Sequence, residues 1–254
     1  MFKRKTRHRQ TDFLWRFRER LSRFFKTIVE LKQNIIVAGG TGSGKTSLLN
    51  ALSSFIPIDD RVVVIEDSRE LQLQRTHVVQ LEAVAPDPKG RGKVSIRDLF
   101  KATLRMRPDR IVVGEIRSGE ALELIQAMTS GHGGCLSTVH ATYPKDTLNR
   151  LETMALMSDV ELPLSALQAQ IASAINFIVQ TSRFSDGSRG ITHITEVSGF
   201  NRERGYVLTD MFRRSFNKDD NSESGLVPTG SLPECLEEIQ AHGLELPGSM
   251  YVKA

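Results

Sequence analysis

The hydrophobic pattern of this 254-residue chain switches repeatedly between two periods. Continuous apolar runs, which are typical of buried strands, occupy 35–38, 62–65 and 111–113. Apolar residues at helical spacing follow these runs, at 48–52, 96–104 and 118–128. Strands that are separated by helices predict an α/β fold with a mainly parallel sheet. Ser95 stands directly before the second helical segment, where it is suited to cap the helix.

The two ends of the chain differ from this middle part. Apolar residues at helical spacing from Phe13 to Val29, with arginines and a lysine on the other side, predict a basic amphipathic helix within a segment 1–32. This helix has two interpretations: it lies on a membrane surface, or its apolar stripe docks on the domain or on a neighbouring subunit. At the other end, we predict a small β-rich and helical region, followed by a segment 216–254 that contains a flexible linker (217–230) and a short helix (232–243). The central domain is then 33–215.

Residues 34–50, "NIIVAGGTGSGKTSLLN", carry the most specific motif of the chain. The apolar run is followed by Gly39-x-x-x-x-Gly44-Lys45-Thr46, the complete P-loop pattern, and then by a helical segment. Backbone N–H groups of such a loop surround phosphate oxygens, and the helix N-terminus adds partial positive charge. Lys45 is expected to reach the β- and γ-phosphates, and the Thr46 hydroxyl to ligate Mg²⁺.

Nucleotide hydrolysis also needs groups that orient water, and acids and histidines stand near the predicted strands. Glu66 and Asp67 follow the run 62–65, and Glu115 follows the run 111–113. His132 and His140 flank a further strand-like stretch, "GGCLSTV". Because parallel strands end at one rim of a sheet, we expect these groups to converge on the γ-phosphate. Zinc is not expected, since no Cys/His ligand spacing is present.

Composition and charge bear on the cellular compartment of the protein and on its partners. The two cysteines lie far apart in the sequence, which favours a reducing compartment. The sequence shows neither an apolar signal-peptide core nor an apolar run near the roughly 20 residues that span a bilayer. Together these features predict a cytoplasmic protein. The net charge of +4 is uneven, because residues 1–32 carry a balance of +8 and the remaining chain therefore carries −4. A mildly acidic body gives no reason to expect a specific nucleic-acid partner, although the basic segment leaves a DNA-handling NTPase as an alternative.

Four stretches in this order and spacing carry a family resemblance: the P-loop, "IEDSREL", "LRMRPDRIVVGEIRSGEAL" and "GHGGCLSTVHA". Together they resemble the type II/type IV secretion and pilus-assembly ATPases, and most of all the CpaF kind, the motor of tight-adherence pili. The resemblance implies a RecA-like P-loop NTPase core of the α/β class. It implies ATP and Mg²⁺ as cofactors, assembly into a hexamer, and work with an inner-membrane platform protein at the cytoplasmic face of that membrane.

The resemblance also assigns roles to individual residues. The predicted nucleotide-binding residues are Gly40, Thr41, Gly42, Ser43, Gly44, Lys45, Thr46 and Ser47. Glu66 is the preferred water-activating carboxylate, while Glu115 supports Mg²⁺ together with Thr46, or shares the role of base. His132 and His140 are expected to sense the γ-phosphate, and Arg105 and Arg117 to lie near the nucleotide.

One departure from the family produces a second hypothesis. Family members have a separate domain of over a hundred residues before the P-loop, and here only the basic helix precedes it. The first hypothesis is an ATP-hydrolysing motor subunit that drives pilin or protein export. The alternative is a truncated nucleotide-binding module, regulatory or involved in assembly, with negligible turnover.

Overall fold

The structure, a computed structural model, describes residues 19–215 and 225–246. The helices are α1 (Glu19–Glu30), α2 (Lys45–Ser53), α3 (Ile96–Thr103), α4 (Glu120–Thr129), α5 (Pro144–Leu156), α6 (Leu164–Ala174) and α7 (Leu236–Ala241). The strands are β1 (Ile35–Gly39), β2 (Val62–Glu66), β3 (Val78–Glu82), β4 (Arg110–Ile116), β5 (Leu136–Val139), β6 (Phe177–Arg183), β7 (Arg189–Asn201), β8 (Gly205–Arg214) and β9 (Leu226–Pro228).

All these strands form one sheet, in the order β3-β2-β4-β5-β1-β6-β7-β8-β9. The six strands from β3 to β6 run parallel, and β6 to β9 are antiparallel. A turn at Asp186 and Gly187 joins β6 to β7, with Gly187 at a φ of 82°. The predicted α/β fold with a mainly parallel sheet is therefore confirmed, including its β-rich end.

Helices cover both faces of the parallel part of the sheet, because its central strands are apolar on both sides. One core cluster joins α3, α4, α5 and α6 to alternate strand residues such as Ile36, Val63 and Val113. The other joins α1, α2 and α7 to the residues between them, such as Val37 and Val64. In this three-layer arrangement the helices cover the faces of the sheet, and the strand ends form two rims, one at the amino ends and one at the carboxyl ends of the parallel strands. No helix in the described ranges is long and apolar enough to cross a membrane.

α1 belongs to the second core cluster. Phe24 is fully buried, and its ring lies 5.7 Å from that of Phe177 and 5.3 Å from that of Phe212. The end of α1 is held by Arg110, which is 1% exposed and donates from Nη1 to the Val29 carbonyl at 2.7 Å. In the described part of the predicted helix the apolar stripe thus docks on its own domain, so this stripe is not available to a membrane surface. Residues 13–18 lie outside the described residues.

The C-terminal region differs from its prediction. Leu226–Pro228 falls inside the predicted flexible linker, but it forms β9 and pairs with β8. The linker prediction was wrong for these three residues because their pairing with β8 is not visible in their local composition, while residues 216–224 lie outside the described residues. The short helix α7 then docks through Ile239, which is fully buried. Glu196 of β7 accepts a hydrogen bond from the backbone N–H of Glu234, ahead of α7, at 2.9 Å.

α3 has the predicted cap. The Ser95 hydroxyl accepts from the Asp98 backbone N–H, and the Asp98 carboxylate accepts from the Ser95 N–H at 2.9 Å. This reciprocal capping box satisfies two backbone donors that the first helical turn leaves without partners.

We expect Phe24→Ala to lower the free energy of unfolding by about 3 to 5 kcal/mol, because it leaves a cavity beneath α1. Urea denaturation followed by circular dichroism measures this loss. The control, Lys26→Ala, lies on the exposed face of the same helix and should change stability by less than about 0.5 kcal/mol. Equal effects of both variants would contradict the docking of α1.

Glu196 predicts an unusual pH dependence of stability. Burial raises the pKa of Glu196 to about 7, whereas an unfolded chain releases this proton near pH 4. Between those values the folded state holds the proton that the unfolded state has lost, so the contribution of Glu196 to stability falls as the pH rises from about 4 to 7. Glu196→Gln keeps an acceptor oxygen for the Glu234 N–H and removes this titration.

The variant should therefore exceed the wild type in unfolding free energy at pH 8, by on the order of 2 kcal/mol, and the difference should vanish towards pH 4. Urea denaturation at several pH values measures this difference. Glu203→Gln, at an exposed turn, should give none. A Glu196→Gln effect that is constant with pH would contradict the assignment.

Candidate functional site

The candidate site lies at the carboxyl rim of the parallel strands. β1, β2, β4 and β5 all end at this rim because they are parallel to one another. The residues that follow or complete them include the P-loop after β1, Glu66 at the end of β2, Glu115 near the end of β4 and His140 after β5. The sheet therefore collects groups from distant parts of the sequence within one small region.

The P-loop, residues 40–47, connects β1 to α2. Gly42 and Gly44 have φ values of 71° and 98°, which a residue with a side chain adopts only under strain. α2 begins at Lys45, so the N–H groups of its first turn have no acceptor within the helix and point towards the loop. Lys45 Nζ donates to the Gly40 carbonyl at 3.1 Å. The loop thus has the strand–loop–helix setting that its sequence predicts.

A buried hydroxyl pair fixes the P-loop to the neighbouring strand β6. Ser43 Oγ lies 2.8 Å from both the Thr181 hydroxyl and the Gly40 carbonyl, and its one proton can be donated to either of them. Thr181 in turn donates to the Ala38 carbonyl of β1 at 3.0 Å. A Cβ on Gly39 would overlap both hydroxyl oxygens, so the first glycine of the motif is required by close approach here. Sequence reasoning missed Thr181, since nothing local marks a residue that lies 138 positions away from its partner.

Lys45 lies between the loop and the acids. Its ammonium nitrogen is 4.0 Å from Glu115 Oε1, and its side chain is 11% exposed. Burial lowers the pKa of Lys45; the nearby Arg117 acts in the same direction, and the carboxylates oppose it. A desolvated cation in this position favours an anionic ligand, which would replace the lost hydration.

Glu66 serves as an anchor in this structure. The residue is 4% exposed, and its Oε1 accepts hydrogen bonds from the backbone N–H groups of Glu70 and Leu71, both at 2.9 Å. These bonds turn the chain back on itself directly after β2. The residue that sequence reasoning preferred as the base is thus engaged in shaping the loop that follows it.

Glu70, which was missed from the sequence, lies at the P-loop. The Thr46 hydroxyl donates to Glu70 Oε2 at 3.2 Å, and Glu70 is exposed. The pattern Glu-x-x-x-Glu from Glu66 to Glu70 is the only local indication of its role. A side chain four residues beyond a strand reaches the site only because the first glutamate folds the intervening loop.

A bulge in β4 sets the position of Glu115. The pairing of β4 with β5 shifts between Val113 and Ile116, so that two residues of β4, Gly114 and Glu115, lie opposite a single residue of β5, Thr138. Bulges re-aim side chains at the ends of strands, and here the Thr138 hydroxyl donates to the Gly114 carbonyl at 2.7 Å. A Cβ on Gly114 would lie 3.1 Å from Glu66 Cγ. The missing side chain therefore lets the two acidic strand ends approach each other.

Arg117 connects these acids across the rim. Its Nε donates to Glu115 Oε2 at 2.6 Å and its Nη1 to Asp67 Oδ2 at 3.0 Å. The structure therefore brings together Lys45, Glu115 and Arg117, as expected for a site that handles charge. These bonds to carboxylates raise the pKa of Arg117, so the guanidinium stays protonated.

The remaining predicted residues divide between the two rims. His140 is exposed directly after β5, on the side of the P-loop. His132 precedes β5, and Arg105 lies in the connection that leads from α3 to β4. Both of these connections enter strands at the amino ends, so within one chain the fold does not bring His132 or Arg105 to the P-loop. The expectation that both histidines converge is not met here, because they stand at opposite ends of the same strand.

The donor set of the site suits a hard cation that is held together with phosphates. Hydroxyl and carboxylate oxygens are available from Thr46, Glu70 and Glu115, and oxygen is the ligand atom that Mg²⁺ prefers. Within the part of the chain that the structure describes, no three His, Cys, Asp or Glu residues form a cluster that could hold a metal alone. Mg²⁺ commonly uses few protein ligands and completes its shell with water and phosphate oxygens.

Comparisons with known proteins agree with this geometry. Residues 4–197 match the family described as Type II/IV secretion system protein. A putative conjugal transfer protein of Mycobacterium tuberculosis is 38% identical over 167 residues, which are 66% of this chain and 47% of that protein. The type IV secretion system protein PtlH of Bordetella pertussis is 43% identical over 163 residues, 63% of this chain and 48% of that protein.

A solved structure is also similar. The VirB11 ATPase of the Brucella suis type IV secretion system, crystallised with sulphate, superposes with a TM-score of 0.61 at 31% identity, covering 74% of this chain and 55% of that one. The chain spans about half the length of the curated relatives named above.

Proposed function

This chain belongs to the Type II/IV secretion system protein family, and from that premise we propose that it is the ATP-binding and ATP-hydrolysing part of a secretion or pilus-assembly motor. The main support for the proposal is that acidic side chains from the ends of two other strands lie beside the P-loop. Lys45 lies 4.0 Å from Glu115, and Thr46 lies 3.2 Å from Glu70. Assignment to a tight-adherence pilus remains a prediction from the sequence.

Phosphate binding follows from the loop 40–47. Its backbone N–H groups and the start of α2 would surround the phosphate oxygens, and Lys45 would exchange the Gly40 carbonyl for the β- and γ-phosphates. Ser43 and Thr181 hold the loop in shape before a ligand arrives, so less ordering is needed on binding.

The charge balance of the rim supports a requirement for Mg²⁺. Three carboxylates (Asp67, Glu70 and Glu115) lie near two cations (Lys45 and Arg117), and a triphosphate adds further negative charge. Thr46 and Glu115, with Glu70 beside them, would hold the ion directly or through water. When bound, Mg²⁺ neutralises charge on the β- and γ-phosphates.

Hydrolysis requires a carboxylate that can reach the attacking water. The water oxygen bonds to the γ-phosphorus, the bond to the β-phosphate oxygen breaks, and ADP and phosphate leave while the water proton passes to a base. Glu70 and Glu115 are the candidates with carboxylates beside the P-loop. Glu66 contributes by holding the loop that carries Glu70, although its second carboxylate oxygen keeps it as an alternative base.

Arg117 and His140 lie on the correct rim to stabilise charge that develops on the γ-phosphate. Arg105 and His132 lie at the other rim, so they can reach a nucleotide only in a neighbouring copy of the chain. Their roles therefore depend on the proposed homo-oligomer, a hexamer. We further propose an inner-membrane platform protein as the partner, with the motor at its cytoplasmic face. The relatives' names refer to conjugal transfer and to type IV secretion, which supports a transport role of this kind.

The proposal predicts MgATP turnover that depends on individual residues of the rim. Lys45→Ala should lower kcat by at least roughly 100-fold, since it removes a principal cation from the phosphate site. Glu70→Gln and Glu115→Gln should lower kcat by on the order of 100-fold with nucleotide affinity retained, and Glu66→Gln should have a smaller effect. Phosphate release under steady-state conditions measures turnover, and binding of a fluorescent ATP analogue measures affinity.

Matched controls come from exposed positions outside the site. Lys145→Ala and Glu161→Gln should leave kcat within about twofold of the wild type. Tight MgATP binding without any turnover by the wild-type chain would instead support the regulatory module. Turnover that is equal in the wild type and in Lys45→Ala would remove the motor proposal.

A further inference from the structure

Glu120 is a buried carboxylate close to the site but outside the set described above. It is the first residue of α4 and is 8% exposed. Its Oε1 accepts two backbone hydrogen bonds, from the Arg117 N–H at 2.8 Å and from the Ser118 N–H at 2.9 Å. The N-cap residue is Gly119, which has no side chain to cap the helix. Glu120 therefore bends back and fixes the turn between β4 and α4.

A carboxylate suits this contact at the start of a helix. A negative group at a helix N-terminus interacts favourably with the helix dipole, and hydrogen bonds to an ionised acceptor are stronger than neutral ones. A glutamine would keep one neutral acceptor oxygen in the same place, whereas an alanine would leave both N–H groups without this partner.

The turn that Glu120 holds carries the arginine of the rim. The Arg117 side chain is 63% exposed, yet its guanidinium bonds to both Glu115 and Asp67. A long side chain that is mostly in solvent loses rotamer freedom when it is held in one place. The hydrogen bond from the Arg117 backbone N–H to Glu120 fixes the point from which this side chain starts.

We propose that Glu120 is a positioning residue for Arg117: it touches no substrate, and it acts by holding the backbone from which the guanidinium reaches across the rim. The inference rests on the proposed function for its effect on turnover, but the contact itself is independent of that function. The same logic applies to Glu66, which holds the backbone ahead of Glu70.

A double-mutant cycle tests the route through Arg117. We expect Glu120→Ala to lower kcat about tenfold with KM for MgATP within about twofold, and Glu120→Gln to lose much less. Arg117→Ala should lower kcat at least as far, and the double variant should be no slower than Arg117→Ala alone. Effects that multiply in the double variant would overturn the proposal, because Glu120 would then act by another route.

Asp98→Ala is a matched control for the loss of a helix cap. Asp98 also accepts a backbone N–H in the first turn of a helix, α3, but that turn carries no residue of the rim. It should lower thermal stability about as much as Glu120→Ala and leave kcat unchanged. A loss of turnover in Asp98→Ala equal to that in Glu120→Ala would reduce Glu120 to a structural residue.

A second readout does not depend on hydrolysis. In ¹⁵N NMR spectra the Nε–H resonance of Arg117, assigned by its loss in Arg117→Lys, should shift and broaden in Glu120→Ala but not in Asp98→Ala. An unchanged resonance would refute the positioning role even if the chain had no turnover. A shifted resonance in a chain without turnover would refute the motor function and leave the positioning role standing.

Discussion

The parallel direction of β1, β2, β4 and β5 is the constraint on which the rest of the structure depends. Because these strands point the same way, four separate connections leave the sheet at one rim. The P-loop of the proposed nucleotide site contains no carboxylate of its own. The acids that the proposed reaction needs therefore come from the connections that follow the neighbouring strands. Burial of both faces of the sheet fixes the strands from which these connections leave.

The rim is organised in two tiers of carboxylates. Glu70 and Glu115 face the P-loop, while Glu66 and Glu120 are buried and accept pairs of backbone N–H groups. Each of these two buried carboxylates fixes a turn, because it accepts two backbone N–H groups of one connection. Small residues complete the arrangement where backbones must approach closely. Gly39 leaves room for two hydroxyl groups, and Gly114 leaves room for an acid.

Local patterns predicted most of the elements of the fold. The strands, the P-loop and the cap at Ser95 all depend on interactions within a few residues, and these are visible in a sequence. Strand β9 was not predicted, since it is stabilised by pairing with β8 and the composition of its surroundings is typical of a linker. The amphipathic helix at the start was recognised as a helix, but its partners Phe177 and Phe212 lie far away in the sequence.

The sequence by itself determined a P-loop motif, a set of acids after apolar strands, and the family. Only the tertiary structure decided which of those groups meet. It placed Glu70 beside Thr46 and engaged Glu66 in a loop. It also left His132 and Arg105 at the opposite rim, because connections that enter a strand and connections that leave it lie at opposite edges of a parallel sheet. The alternation of strands and helices predicted that the strands run parallel, but the side chains that meet at the rim are set by contacts between segments far apart in the sequence.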